Sequence, residues 1–486
     1  MFATEAAGAG RPLAFLISTT RCAQDIRRHM GSADYSYVFV LNALRPVLEQ
    51  LGTCRLIDSP ESSLAQIASS AEAEGFRPVH LALQPPHSAY FTPAVPTILF
   101  PFWEFPDVPG RDFGFDTRQN WQRLCRPAAM ILTACEFTAA AIRRAGAACP
   151  VAVVPVPLGP EPFETPAWDP AHSWTVDCRH LVLGGESGEP SSLADATVSE
   201  EQTGGPRGFM SPKEALRGAY RRYVRPWLSP EAILRISEAR KSLLRLPETP
   251  PPVLPRAPLT LSGLVYTSIF NLSDRRKNAA DLLSAFLLAF RDRPDVTLVL
   301  KLATSPTREY YEMQELGMLY HSLGLEHRCR IAIVTDYLDD AEMAALFRAT
   351  AFYVNTSRAE GACLPLQQAL ASGRPALAPL HTAMADYMDE QVGFPLESNP
   401  EPTFWPHDPD RRCETRWHRL VWTSLRDAFL ASAEVALADR ARYDAMAASA
   451  RDRMARHAGR EVVAEALGEA LRRLPPSPVG ALDWVA

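Results

Sequence analysis

The chain of 486 residues is 47% hydrophobic, enough apolar material for two or three domains with separate cores. Its formal net charge of -6 argues against a general nucleic-acid binder, whose electrostatic footprint is basic. Nine cysteines, an odd number, are scattered from Cys22 to Cys413 without a C-x-x-C pair, the pattern of a reduced cytosolic chain with neither a disulfide framework nor a zinc site.

No basic region precedes the apolar run LAFLI at Leu13, which is too short for a signal peptide. No stretch of about 18 apolar residues is available to span a membrane, so the expectation is a soluble, cytoplasmic protein. Leu13 to Ile17 reads as a buried strand, and Val38 to Leu51 as a helix that Pro46 is expected to kink. The rhythm repeats: strands at Cys54 to Ile57, Val79 to Leu83, Thr97 to Phe100, Ala129 to Leu132 and Val151 to Val156, helices at Ser62 to Ala73 and Phe137 to Ala145. Such alternation predicts a parallel sheet covered on both faces, a Rossmann-like domain over residues 1–165. Its first strand-to-helix loop, Ser18 to Asp34, lacks G-x-G-x-x-G, so NAD or FAD is not expected there.

Two strand ends in this half offer chemistry. His87, in Gln84-Pro85-Pro86-His87, either points into a cleft to orient a substrate or is a surface residue. Trp103 and Glu104 supply an aromatic face and a carboxylate suited to a sugar ring and its hydroxyls. The alternative is that Phe102 and Trp103 pack beneath the next loop.

Residues 166–257 break the alternation and read as a helical insertion with a proline-rich linker. Gly184 to Gly208 has a loop composition, and helix starts follow at Ser211-Pro212-Lys213-Glu214 and Ser229-Pro230-Glu231. Between them, Arg217, Arg221, Arg222 and Arg225 are interleaved with Tyr220, Tyr223 and Trp227. That segment suits a phosphate-bearing acceptor or peripheral contact with an anionic membrane, or is a solvated helix face with packed aromatics. Pro250 to Pro258 reads as a stiff connector.

A second alternating domain begins at about Leu259. Strands are expected at Leu264 to Phe270, Val296 to Leu302, Arg330 to Val334 and Phe352 to Val354, with helices at Asn278 to Phe290, Tyr310 to Leu323 and Ala341 to Ala349. The loop Asn271 to Asn278 places Arg276 and Lys277 where a strand hands over to a helix, a position from which cations compensate a departing diphosphate. Lys301 is expected at an exposed edge, or lining the cleft. In Ala351 to Pro379 a strand, a polar turn, a helix and a strand follow one another, and Glu360 sits at the turn. There the backbone N–H groups of Gly361, Ala362 and Cys363 lie at a positive helix end that can hold an anion. Residues 401–486 read as helical, with Val421, Leu425 and Phe429 at four-residue spacing and Trp417 one turn earlier. Asp408-Pro409-Asp410 matches D-x-D, a three-residue pattern too common to carry a metal site.

The run Glu360-Gly361, Leu364-Pro365, Gln367-Gln368 resembles the E-x7-E motif of retaining glycosyltransferases of family 4. The resemblance is strongest from about 258 to 430 and weaker from about 79 to 160. It implies the α/β fold called GT-B: two Rossmann-like domains facing a cleft, with C-terminal helices crossing back to the first. By the same resemblance, residues 258–400 bind a nucleotide-sugar donor, Glu360 contacts its sugar, and Gly361, Ala362, Cys363 and Leu364 line the donor. Gln368 would meet the ribose, and the Tyr337 loop the base. Arg276 and Lys277 resemble the family's Arg and Lys that bind donor phosphates, and no metal or other cofactor is implied. The chain departs from the family at Gln368, where an amide with two donors and one acceptor oxygen replaces a carboxylate that only accepts. The implied activity is transfer of a sugar, with retention, to a glycan or lipid-linked acceptor, as in polysaccharide assembly. Two alternatives are a catalytically weak relative serving as a nucleotide- or glycan-binding partner subunit, and a sugar-nucleotide epimerase of the same fold.

Overall fold

The computed structural model describes residues 11–20, 30–31, 34–112, 119–185, 255–306, 308–406, 408 and 411–475. Strands β1 (Leu13–Thr19), β2 (Gly52–Leu56), β3 (Arg77–Leu83), β4 (Thr97–Leu99), β5 (Met130–Thr133) and β6 (Val151–Val153) form a parallel sheet in the order β2-β1-β3-β4-β5-β6. Helices α1 (Ser36–Leu51), α2 (Pro60–Ala73), α3 (Trp121–Leu124) and α4 (Glu136–Arg144) accompany it. The strand β1 shows why the sequence alternates as it does. Phe15 and Ile17 pack with Tyr37, Leu41 and Leu44 of α1, whereas Leu16 packs with Leu64 and Ala68 of α2, so an unbroken apolar run is buried on both faces. Helix α1 continues through Pro46 to Leu51.

The second sheet is larger. Its strands are β7 (Trp174–Leu183), β8 (Arg256–Leu261), β9 (Leu264–Phe270), β10 (Val296–Leu302), β11 (Arg330–Val334), β12 (Phe352–Val354), β13 (Ala376–Pro379) and β14 (Gly393–Leu396). They lie in the order β14-β13-β12-β9-β10-β11-β7-β8, parallel from β14 to β11 and antiparallel through β7 and β8. Two expectations are corrected here. The expected helical insertion contains the strand Trp174–Leu183, and the end of the expected connector belongs to the strand Arg256–Leu261, both at the edge of this sheet. Val176, Cys178, Leu181 and Leu183 of β7 are buried, and Asp177, Arg179 and His180 interrupt its apolar pattern. The expected helices from Ser211 and Ser229, the basic stretch from Arg217 to Trp227, and Pro409 and Asp410 lie outside the described residues.

Helices α5 (Ala279–Phe290), α6 (Glu309–Leu323), α7 (Asp340–Ala349) and α8 (Leu364–Ala371) connect the parallel strands. A hairpin of β15 (Ser398–Phe404) and β16 (Glu414–Leu420) follows, then α9 (Trp422–Ala438), α10 (Arg440–Ala458) and α11 (Arg460–Arg472). Trp417 therefore stands on a strand rather than one turn before Val421 on a helix, because the helix starts only at Trp422. Its indole Nε1 donates to Glu401 across the hairpin, 2.9 Å away, and the Arg358 guanidinium lies over its ring.

The last helix returns to the first sheet. Val463, Leu467, Ala470 and Leu471 of α11 join the core built by Leu41, Leu44 and Leu48 of α1. The crossing is made at Ala458-Gly459, where the Leu158 N–H donates to the Ala458 carbonyl at 2.8 Å. A Cβ on Gly459 would stand 2.3 Å from the Ala455 carbonyl oxygen, so the tight junction excludes any side chain there. The two sheets and their helices belong to one compact unit. Among the described residues no helix is long and apolar enough to cross a membrane.

Candidate active site

Two loops at the carboxyl ends of neighbouring parallel strands build the site, the place where open α/β sheets take ligands. After β9, the Asp274 side chain accepts the Arg276 N–H at 3.1 Å and caps a 3-10 turn at Arg275–Lys277. Asn278 then turns into α5 in the left-handed region, φ 57°, which asparagine tolerates better than most residues. After β12, the Asn355 side chain accepts the Ser357 N–H at 2.9 Å, and the chain runs through Glu360 to Cys363, also left-handed at φ 59°. The loops are stitched together by the Thr356 hydroxyl donating to the Lys277 carbonyl and the Arg358 N–H donating to the Arg276 carbonyl, both at 2.8 Å.

This stitching brings Arg276, Lys277 and Glu360 together. Lys277 Nζ stands 2.5 Å from Glu360 Oε1, and Glu360 is only 6% exposed. Arg276 binds both oxygens of Asp274 at 3.1 and 2.6 Å, donates to the Ala359 carbonyl at 2.8 Å, and faces Glu104 of the first domain at 3.2 Å. Burial opposes the Arg276 charge, but Glu104, Asp274 and Glu360 outweigh it and raise its pKa. Burial likewise opposes the Lys277 ammonium, and Glu360 more than restores it. Burial raises the Glu104 carboxyl against the pull of Arg276, whereas Asp274 is held below its ordinary range because Arg276 and Lys277 overcome its burial. Two cations thus face three carboxylates.

Glu360 is anchored through its backbone. Its N–H donates to the Thr382 hydroxyl at 3.0 Å, its carbonyl accepts the Ala383 N–H at 3.2 Å, and Thr382 is itself left-handed at φ 52°. The Ala362 carbonyl is pinned by Gln367 Nε2 at 3.0 Å and the Tyr387 hydroxyl at 2.9 Å. The backbone N–H groups of Gly361, Ala362 and Cys363 donate to no acceptor among the described residues, just before α8 begins at Leu364. Burial first, then Glu360, pushes the Cys363 thiol well above its ordinary range. Gln368 is half-buried on α8, and Tyr337 is half-buried in the loop after β11.

Other expected residues lie elsewhere. Trp103 is 2% exposed and packs with Phe105, Trp121 and Trp405, so its face is unavailable to a sugar ring; the packing alternative holds. Its backbone instead forms a wall against Gly361, whose Cβ would stand 3.3 Å from the Trp103 nitrogen. His87 lies against Trp121 with ring centroids 5.8 Å apart. Lys301, expected at an exposed edge, is 4% exposed on the central strand β10; burial lowers its pKa to about 8, and its Nζ donates to the Leu302 carbonyl. Behind the Tyr337 loop, Arg179 joins Glu309 and Asp336 at 3.3 and 2.9 Å, and Arg256 reaches Asp336 at 2.9 Å.

Two participants escaped sequence reasoning. Tyr35, just before α1, has its phenol pKa raised by burial first, with Lys277 opposing and Glu360, Asp274 and Cys363 reinforcing the rise, so it stands in the field of the cluster. Its signal was an aromatic in the first strand-to-helix loop of the opening domain. Gly31, in the same loop, docks on the second domain: its carbonyl accepts from Asn271 Nδ2 at 2.6 Å and from Arg308 at 2.7 Å.

No protein-family model matches the chain, and no curated protein matches it in sequence. Solved structures match it over nearly its whole length. HepE of Anabaena, crystallised with UDP and glucose, is 13% identical with a TM-score of 0.50, covering 95% of this chain and 100% of that one. Sucrose-phosphate synthase from Thermosynechococcus elongatus is 14% identical with a TM-score of 0.50, covering 96% and 99%. At such identities the likeness concerns architecture, and with the two sheets and the returning helix it establishes the fold as GT-B.

Proposed function

We propose that the chain is a retaining glycosyltransferase of family 4 type, moving a sugar from a nucleoside diphosphate donor to a glycan or lipid-linked acceptor. The observation that carries this reading is the convergence of Arg276, Lys277 and Glu360 at the carboxyl ends of two adjacent parallel strands, beside N–H groups with no acceptor among the described residues. HepE, of the same fold, was crystallised with UDP and glucose, which favours a nucleotide-sugar donor here. Residues 258–400 would hold the donor and residues 1–165 the acceptor, in the cytoplasm or against the inner membrane face. Arg276 and Lys277 would carry the charge that grows on the diphosphate as the glycosidic C–O bond breaks, so no metal is required. Glu360 would position the sugar, Gln368 the ribose, and Tyr337 the base. The acceptor oxygen would attack from the face the diphosphate leaves, and its proton would pass to the departing phosphate oxygen.

A second reading, a catalytically weak nucleotide-binding partner subunit, is favoured by Gln368 and by the three carboxylates already engaging both cations. Incubation of the purified protein with UDP-, GDP- and ADP-sugars and a panel of glycans separates the two. A transferase releases free nucleoside diphosphate in step with glycosylated acceptor, and Lys277→Ala abolishes both. Nucleotide binding without turnover of any donor supports the partner subunit.

A further inference from the structure

The hairpin of β15 and β16 touches both the first domain and the Glu360 loop. Asp408 closes its turn, its carboxylate accepting the Arg412 and Cys413 N–H groups at 2.5 and 2.7 Å, so this member of the D-x-D pattern serves the hairpin itself. Trp405 packs with Trp103 and Trp121 of the first domain, ring centroids 5.5 and 5.8 Å away, and the Thr415 hydroxyl donates to Asp107 at 3.3 Å. Buried Ala359 belongs to the same apolar cluster, and Trp417 packs against that cluster. The residue before Glu360 is therefore part of a core that the hairpin and the first domain build together.

The hairpin also holds Arg358. His418 stands opposite Pro400 in the hairpin register, and its N–H donates instead to the Arg358 carbonyl at 2.8 Å. The Arg358 N–H in turn donates to the Arg276 carbonyl, also at 2.8 Å, so one residue ties the hairpin to the cation loop. The Arg358 guanidinium lies 4.8 Å from the centre of the Trp417 ring and 3.5 Å from Glu401, which the Trp417 indole N–H reaches at 2.9 Å. A second path runs through two imidazoles. The His418 ring stacks on buried His381, centroids 4.1 Å and planes 15° apart. His381 Nδ1 stands 3.3 Å from the Thr382 hydroxyl, which donates to the His381 carbonyl at 2.8 Å and accepts the Glu360 N–H at 3.0 Å.

We propose that Trp417 and His418 are positioning residues, which through Arg358, His381 and Thr382 fix the Glu360 loop in the place from which it meets the donor sugar. The proposal rests on the transferase reading, in which Glu360 takes the sugar and Arg276 and Lys277 the diphosphate, and it separates the two halves of the donor. Asp274 and Thr356 hold the cation loop independently of the hairpin side chains. Loosening the hairpin therefore spares binding of the nucleoside diphosphate and slows transfer of the sugar.

The test compares the full-length protein with Trp417→Ala, Arg358→Met and Trp417→Phe, by hydrogen exchange of peptides covering residues 355–363 and by calorimetric titration with UDP, GDP and ADP. Trp417→Ala and Arg358→Met speed exchange in those peptides by about five- to thirtyfold, the range of a lost cation–π contact with its hydrogen bond. Trp417→Phe, which keeps a ring beside the guanidinium, restores most of the protection. The nucleotide that binds the wild type binds all three variants within about twofold. In the assay with sugar nucleotides and glycans, Trp417→Ala lowers kcat about tenfold and leaves the donor KM within about twofold. Unchanged exchange at 355–363 in both Trp417→Ala and Arg358→Met overturns the proposal, as does an equal rise in every peptide, the mark of general destabilisation. Nucleotide binding weakened by Arg358→Met, with exchange unchanged, also overturns it and makes Arg358 a phosphate contact. If UDP, GDP and ADP all fail to bind the folded wild type, it is the transferase reading that falls, and the exchange rates still decide whether the hairpin holds the loop.

Discussion

Lys277 Nζ and Glu360 Oε1 stand 2.5 Å apart, at the ends of loops 83 positions apart in the chain. Each would act on a different part of one donor, the ammonium on its diphosphate and the carboxylate on its sugar. They satisfy each other, so a bound donor would exchange an internal ion pair for contacts with the ligand.

The same exchange applies to Arg276 and Glu104. In the proposed site a diphosphate would compete with Glu104 for the guanidinium, and the substitution Glu104→Gln would remove the competitor while keeping its shape. Nucleoside diphosphate binding by Glu104→Gln is expected to tighten by about three- to tenfold. The pH dependence follows from the sign of the Glu104 shift. Its carboxyl is raised above the ordinary 4.5 by burial, with Arg276 opposing, and a nearby diphosphate raises it further, so binding takes up a proton. Affinity therefore rises as pH falls toward the folded value of Glu104 in the wild type, with a flatter profile in the variant. Weaker binding by Glu104→Gln would instead mark Glu104 as a donor contact.

Lys301 carries a prediction about stability. Its folded pKa of about 8 lies below the ordinary 10.5, because burial penalises the charged form. Between those values the unfolded chain binds the extra proton, so stability increases as pH rises from about 8 to 10.5. Lys301→Met should stabilise the protein by about 1–3 kcal/mol at pH 7 and remove that alkaline rise. Chemical denaturation at pH 7 and at pH 10 measures both, and a destabilised variant would show that the Leu302 and Asp336 interactions outweigh the burial cost.

Gly31 tests the docking of the two domains. It has φ +78°, and a Cβ there would meet the Ala303 carbonyl oxygen at 2.6 Å, across the domain boundary. Gly75 is a control with φ +91° and nothing within 4 Å of its Cβ position. Gly75→Ala should cost about 1 kcal/mol from backbone strain alone, and Gly31→Ala about 2–3 kcal/mol because the clash adds to it. Equal losses in thermal unfolding would mean that the loop yields without cost.

Much of the fold can be read locally. The four inner strands of the first sheet, β1, β3, β4 and β5, are apolar and buried because both faces are covered, as Phe15, Leu16 and Ile17 show by packing against different helices. The strand β7 hides because Asp177, Arg179 and His180 break its apolar pattern and its partners, β8 and β11, lie far away in the chain, as Arg179 opposite Arg256 and His180 opposite Val334 show. Within the site, Arg276, Lys277 and Glu360 are visible as charges at strand-to-helix turns. What pairs with them is not: Glu104 reaches Arg276 from the first domain, where Gly361 packs closely against the Trp103 backbone. Lys301 misled for a related reason, since a lysine near the end of an apolar strand looks exposed until the strands on either side are known.

The central claim, that Arg276, Lys277 and the Glu360 loop form a nucleoside diphosphate site, is tested most directly by calorimetric titration with UDP, GDP and ADP. One nucleotide should bind the wild type, and Arg276→Ala and Lys277→Ala should each weaken it by about 10- to 100-fold, the range of a lost charge-assisted contact. Absence of binding by all three nucleotides to a protein shown to be folded, or equal binding by wild type and both variants, would contradict it.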